Sequence, residues 1–138
     1  MSDDYVLDQQ VGFILRRVYQ RHAVIFAEGI GAKLTPTQFA ALAKLYEQGP
    51  CTQNHLGRLT AMDAATIKGV VDRLGKRSLI TTRPDPSDGR RMLVELSEKG
   101  KTYIQTTFTK ALRISEETLA PLSGKERKTL LKLLEKLC

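Results

Sequence analysis

The chain has 138 residues, 41% apolar and 6% aromatic with no tryptophan, enough for one domain with a core that needs no metal or disulfide. Lys and Arg number 22 against 15 Asp and Glu, giving a net charge of +7 and a pI near 9.6, a balance suited to nucleic acid or an anionic surface. Cys51 and Cys138 are too few and too far apart for a disulfide framework or a zinc site, and no run approaches the roughly 20 apolar residues of a membrane span.

The opening Met1-Ser2-Asp3-Asp4 is acidic and lacks the apolar run of a secretory signal, so a soluble cytoplasmic protein is expected. Leu7, Val11, Ile14, Leu15, Val18, His22 and Ile25 then recur at three- and four-residue steps. They mark one face of a long helix that should end near Glu28-Gly29. Thr35-Pro36-Thr37-Gln38 opens a second helix with a capping box and a proline in the first turn. Its expected buried stripe is Phe39, Leu42, Ala43 and Tyr46, and Gly49-Pro50 stops it. A short third helix runs from Thr52 through Leu56 and Leu59. After a tight turn, Asp63 caps a fourth helix with Ile67, Val70, Val71 and Leu74 on its inner face. Helix, turn and helix in that order form a helix-turn-helix.

Leu79 to Arg83 and Met92 to Leu96 read as two strands joined by a charged, turn-rich loop, Pro84 to Arg91. They predict a β-hairpin with two arginines at its tip. Ser97-Glu98-Lys99-Gly100 begins a fifth helix that Pro121 ends, and Ser123 caps a leucine-rich sixth. The terminal helices carry more Leu, Ile and Val than one small core needs, which points to a two-fold homodimer. The fold class expected is mainly α, a winged helix-turn-helix with long terminal helices.

DNA reading needs an element that fits the major groove and positive charge for the phosphates. The outer positions of the fourth helix, Ala64, Ala65, Thr66, Lys68, Gly69, Asp72 and Arg73, are small or polar and suit a groove. Ala65 and Thr66 can meet thymine methyls or phosphates, and Lys68 and Arg73 can reach phosphates or guanine edges. Arg90 is long enough to enter a minor groove, with Asp88 holding its guanidinium through a bidentate pair. Arg91, Gln53, Asn54 and Lys76 are further candidates for phosphate contact.

These residues resemble the MarR family of bacterial and archaeal regulators. The likeness is strongest from Leu79 to Gly100, where a strand, an Asp-x-Arg wing, a second strand and a helix start with a glycine follow in order. It extends to Leu34-Thr-Pro-Thr-Gln-Phe39 and to the helical order of nearly the whole chain. The resemblance implies a dimer built from the terminal helices, about 1–33 and 98–138. It places the DNA-binding lobe at about 34–97 and the recognition helix at Asp63 to Lys76. It also implies repression at a pseudo-palindromic operator of double-stranded DNA, relieved by a small anionic effector such as an aromatic acid or its coenzyme A thioester. Arg16, Arg17, Tyr19 and His22 lie where such regulators hold anionic ligands, although His22 also suits a satisfied interface histidine. The cysteine that some members carry in the first helix as an oxidant sensor has no counterpart here.

No Gly-rich phosphate loop, metal-spaced cluster or nucleophile with a neighbouring base calls for catalysis or a cofactor. Two rivals remain: a winged-helix protein-interaction module, which would leave the recognition helix neutral and the wing without arginine, and a repressor that answers to no effector.

Overall fold

The computed structural model describes residues 4–31 and 33–138. Met1–Asp3, part of the acidic start, and Ala32, in the glycine-rich break, lie outside the described residues. In chain order the elements are α1 (Val11–Ile30), preceded by a 3-10 turn at Leu7–Gln9, α2 (Pro36–Gln48), β1 (Cys51–Thr52), α3 (Gln53–Leu59), α4 (Ala64–Lys76), β2 (Ile80–Asp85), β3 (Asp88–Leu96), α5 (Glu98–Leu119) and α6 (Gly124–Lys136). This is the mainly α winged helix-turn-helix read from the sequence.

The chain divides into two compact units, 32–109 and 1–31 with 110–138, so the division falls inside α5. In the first, Thr35 and Gln38 form the expected capping box: the Thr35 hydroxyl accepts from the Gln38 N–H, and the Gln38 side chain accepts from the Thr35 N–H. The buried stripe of α2 is Gln38, Ala41, Leu42 and Leu45, rotated from the expected one. Tyr46 faces outward because its ring packs edge-on to Phe108 at 5.2 Å and its hydroxyl accepts from Gln105. Leu42, Leu56, Ile67, Leu74, Leu79, Val94 and Ile104 fill the core.

The sheet has three antiparallel strands in the order β1-β3-β2, not two. Cys51 pairs with Val94 and Thr52 with Leu93, so the residues between the proline that stops α2 and the start of α3 form a strand that the sequence reading did not include. Two residues are too short to show an alternation in sequence, which hid this strand. The end of α4 and the start of α5 are joined by several bonds. The Ser97 hydroxyl donates to the Ser78 carbonyl, the Ser97 N–H donates to Leu79, and Lys99 donates to the Arg77 carbonyl. At Gly100 the backbones approach so closely that a Cβ would run into the Leu79 carbonyl oxygen.

In the other unit α1 runs past Gly29 and ends at Gly31, whose φ of 96° breaks it. Helix propensity at Gly29 is overridden by packing: a Cβ there would stand 2.6 Å from the Ile114 side chain. Arg21 donates to the Thr118 and Glu117 carbonyls, satisfying the last turn of α5. Ser123 and Glu126 form a second capping box at the start of α6. Ile25, Phe26 and Ile114 are the buried apolar side chains among the described residues of this unit, and α6 buries none.

Candidate nucleic-acid interface

The helix-turn-helix is built by three local devices. The Thr52 hydroxyl accepts from the His55 N–H and starts α3. Ala61, at φ 54°, reverses the chain while the Met62 N–H closes on the Gly57 carbonyl at 2.9 Å. The Asp63 carboxylate then accepts from the Thr66 N–H at 2.8 Å and starts α4. Those bonds to Thr66 hold the Asp63 carboxyl below its usual range.

Ile67, Val70, Val71 and Leu74 bury the inner face of α4. Ala64, Ala65, Thr66, Lys68, Asp72, Arg73 and Lys76 are all exposed, and Gly69 is half-buried among them. Lys68 pairs with Asp72 at 3.0 Å across one turn, a partner the sequence reading did not assign. An exposed pair of this kind contributes little and yields readily to a phosphate. Arg73 and Lys76 form no ion pair among the described residues. The helix closes with Ser78 at φ 60°, its N–H on Gly75 and the Leu79 N–H on Leu74.

The wing differs from the expected loop. Its strands run on to Asp85 and Asp88, leaving Pro86-Ser87 as the turn. The Asp85 carboxylate accepts from both the N–H and the hydroxyl of Ser87, which, with the nearby Arg91 and Arg83, holds its carboxyl below the usual range. Pro84 pairs with Met92 and Asp85 with Asp88, so Gly89, Arg90 and Arg91 have no partner on β2. The arginines therefore stand on a bulge in β3 rather than at a loop tip, and a bulge at a rim re-aims side chains outward. Asp88 does hold Arg90, but through one oxygen: Asp88 Oδ1 accepts from the Arg90 N–H at 3.1 Å and from Nε at 3.2 Å. The backbone bond takes the place of the second arm of the expected fork. The Arg90 side chain remains 91% exposed.

Gln53 and Asn54 begin α3 and, with Thr52, Arg58, Arg91 and Met92, line a groove of about 450 Å³ beside the wing. On α1, the Tyr19 and His22 rings lie 6.3 Å apart, and His22 Nδ1 is 2.8 Å from the Thr118 hydroxyl. Arg16 and Arg17 are exposed, with no ion pair among the described residues. Burial pushes the Cys51 thiol up, away from the reactive thiolate. Sequence reasoning missed Arg77. Its guanidinium donates to the Lys33 carbonyl at 2.6 Å and to the Tyr103 hydroxyl, and lies 5.4 Å from the Tyr103 ring centre. Its partners are 44 and 26 residues away, and no local pattern signals them.

A family model described as the MarR family matches residues 34–92. The HTH-type transcriptional repressor NicR of Pseudomonas putida is 41% identical over 134 residues, 96% of this chain and 85% of that protein. The chain belongs to the MarR family. A crystal structure of a probable transcriptional regulator from Pseudomonas aeruginosa, 58% identical, has a TM-score of 0.93 and covers 96% of this chain and 100% of that one. The Bordetella bronchiseptica regulator BpsR, whose DNA binding is regulated by 6-hydroxynicotinic acid, is 38% identical with a TM-score of 0.93, covering 97% of this chain and 96% of that one. As a MarR-type protein the chain is a DNA-binding transcriptional regulator and not an enzyme. Among the described residues no helix is long and apolar enough to cross a membrane.

Proposed function

We propose that this MarR-type regulator is a cytoplasmic homodimeric repressor of a pseudo-palindromic operator, released by a small anionic aromatic effector. The observation that carries the DNA interface is the wing: Arg90 is held by Asp88 yet almost wholly exposed, on a bulge in the same lobe as the small-residue face of α4. In this reading Ala64, Ala65, Thr66, Lys68, Arg73 and Lys76 enter or flank the major groove. Arg90 reaches the minor groove, and Arg91, Gln53 and Asn54 hold phosphate.

The terminal segments, about 1–33 and 98–138, join the two subunits, and about 34–97 form the DNA-binding lobe. Exposed Val11, Ile14, Leu15, Val18, Leu131 and Leu137 support that interface, because so many apolar side chains on terminal helices need a partner. Arg16 and Arg17 supply charge for a carboxylate, and Tyr19 and His22 an aromatic wall for a flat ring. The ligand of BpsR makes 6-hydroxynicotinic acid the first compound to try.

The test is binding of the purified protein to its own upstream DNA at several salt concentrations, with and without 6-hydroxynicotinic acid, other aromatic acids and their coenzyme A thioesters. Salt-steep binding that one compound abolishes is the expected result. Tight binding that no compound touches leaves a repressor without an effector, and only weak, sequence-independent association revives the protein-interaction module. Arg90→Ala is expected to weaken operator binding roughly tenfold or more; unchanged affinity removes Arg90 from the interface.

A further inference from the structure

Most of the charged groups on the wing and α4 carry an internal partner. Lys68 is paired with Asp72, Arg83 with Glu95 and Arg90 with Asp88. The groove between α3 and β3 is different. Arg58, from α3, and Arg91, from β3, both line it, and neither makes an ion pair among the described residues. No carboxylate lines it: its other walls are Thr52, Gln53, Asn54 and Met92.

The placement follows from the secondary structure. Asn54 and Arg58 are four residues apart on α3, so they stand one above the other on a single face. The hydrogen-bond partner of the Arg58 guanidinium among the described residues is the ring of its helix neighbour His55, at 3.4 Å, which leaves its other N–H groups free. Arg91 comes from the bulged part of β3, next to Arg90, and β1 pairs with β3 just beyond it, which brings Thr52 alongside. Two guanidiniums without a direct ion pair, although Arg91 is near enough to Asp85 to hold its carboxyl down, and two amide side chains around an open groove make a donor-rich site lined by no carboxylate. Such a site suits a singly charged tetrahedral oxyanion, which accepts bidentate bonds from arginine.

We infer that this groove holds a backbone phosphate of the operator, with Arg58, which no part of the DNA-interface reading includes, as a second anchor beside Arg91. The inference rests on the lobe binding DNA through α4 and the wing. The site lies at the base of the wing, so the phosphate is one on the strand beside the minor groove that Arg90 enters. Because a phosphate contact carries no base information, Arg58 sets affinity and salt dependence, and α4 sets sequence choice.

The experiment compares wild type, Arg58→Gln, Arg58→Lys and Arg90→Ala on the protein's own upstream DNA and on a shuffled duplex, from 50 to 300 mM salt. Circular dichroism and thermal unfolding confirm that each variant is folded. Arg58→Gln is expected to lose about five- to tenfold in affinity on both duplexes and to reduce the slope of log K against log salt by about 0.9, one phosphate's worth. Arg58→Lys is expected to keep the slope. A loss confined to the operator with an unchanged slope means a base contact and overturns the inference. Unchanged DNA binding in Arg58→Gln overturns it too, including the case in which release by 6-hydroxynicotinic acid disappears and the groove is an effector site. If Arg90→Ala still weakens binding, the wing reading survives such a failure. If neither variant weakens binding, the DNA-interface reading fails with it.

Discussion

The two units of this chain handle apolar surface in opposite ways. Between residues 32 and 109, α2, α3, α4 and the sheet enclose a core in which Ala41, Leu42, Leu56, Leu74 and Ile104 are completely shielded from solvent. In the unit formed by the ends of the chain, Leu112 is 70% and Leu137 71% exposed, and Val11, Ile14, Leu15 and Val18 lie open along α1. Amphipathic periodicity looks the same in both. A repeat at helical spacing says that a face will be covered but not by what, and only the supply of neighbouring apolar faces in the chain decides that.

Truncation should separate the two regimes most sharply. Leu42→Ala removes a side chain with 0% exposure and is expected to lower unfolding free energy by about 3 kcal/mol. The same loss should appear in urea titrations at tenfold different protein concentrations. Leu131→Asp is expected to leave the lobe folded while splitting the proposed dimer, with a roughly hundredfold loss of operator affinity as two linked contacts become independent. Sedimentation with DNA titration checks this, and a dimer that persists in Leu131→Asp means that the exposed face of α6 is not the interface.

Smaller changes probe the lobe alone. Ser78 ends α4 in the left-handed region, at φ 60°, where a side chain costs about 1 kcal/mol. Ser78→Gly is therefore expected to stabilise the protein by about that amount in thermal unfolding, a gain that greater freedom in the unfolded chain partly offsets. The smallest effect concerns pH. The folded Asp63 carboxyl is held below its ordinary value of 3.8 by the Thr66 bonds. Its contribution is complete above that value and is lost as pH falls through the lower folded value. Asp63→Asn keeps a cap without the charge, so the difference in stability between the two proteins should shift as pH falls from 5 to 2 and stay flat above 5.

The sequence made much of this legible wherever a short-range device was involved. Thr35 with Gln38, Asp63 with Thr66 and Ser123 with Glu126 are each three residues apart, and caps of that spacing can be read directly. The helix α4 and the hairpin followed from period and turn chemistry. What escaped was set by distant partners. The strand at Cys51–Thr52 exists because β3 offers an edge some 40 residues later. The α2 stripe rotated because Phe108 and Gln105 take Tyr46. The bulge that carries Arg90 and Arg91 depends on how β2 and β3 register, which the charged composition of the segment disguised as a loop. In the candidate interface the residue types were readable, and so was the local Asp88–Arg90 pair, but Lys68–Asp72 and Arg83–Glu95 were not, and it is pairing that distinguishes Arg58 from Arg83.

The contact at Gly100 bears on how the lobe can move. Where helices meet through leucines, a displacement is partly absorbed as side chains change rotamer. At Gly100 the backbone of α5 rests directly on the Leu79 carbonyl, and Leu79 is in turn bonded to the last turn of α4. No side chain stands between the two backbones here to take up a displacement. A rotation of the first turn of α5 therefore bears on the end of α4 and the root of the wing together, as on one lever.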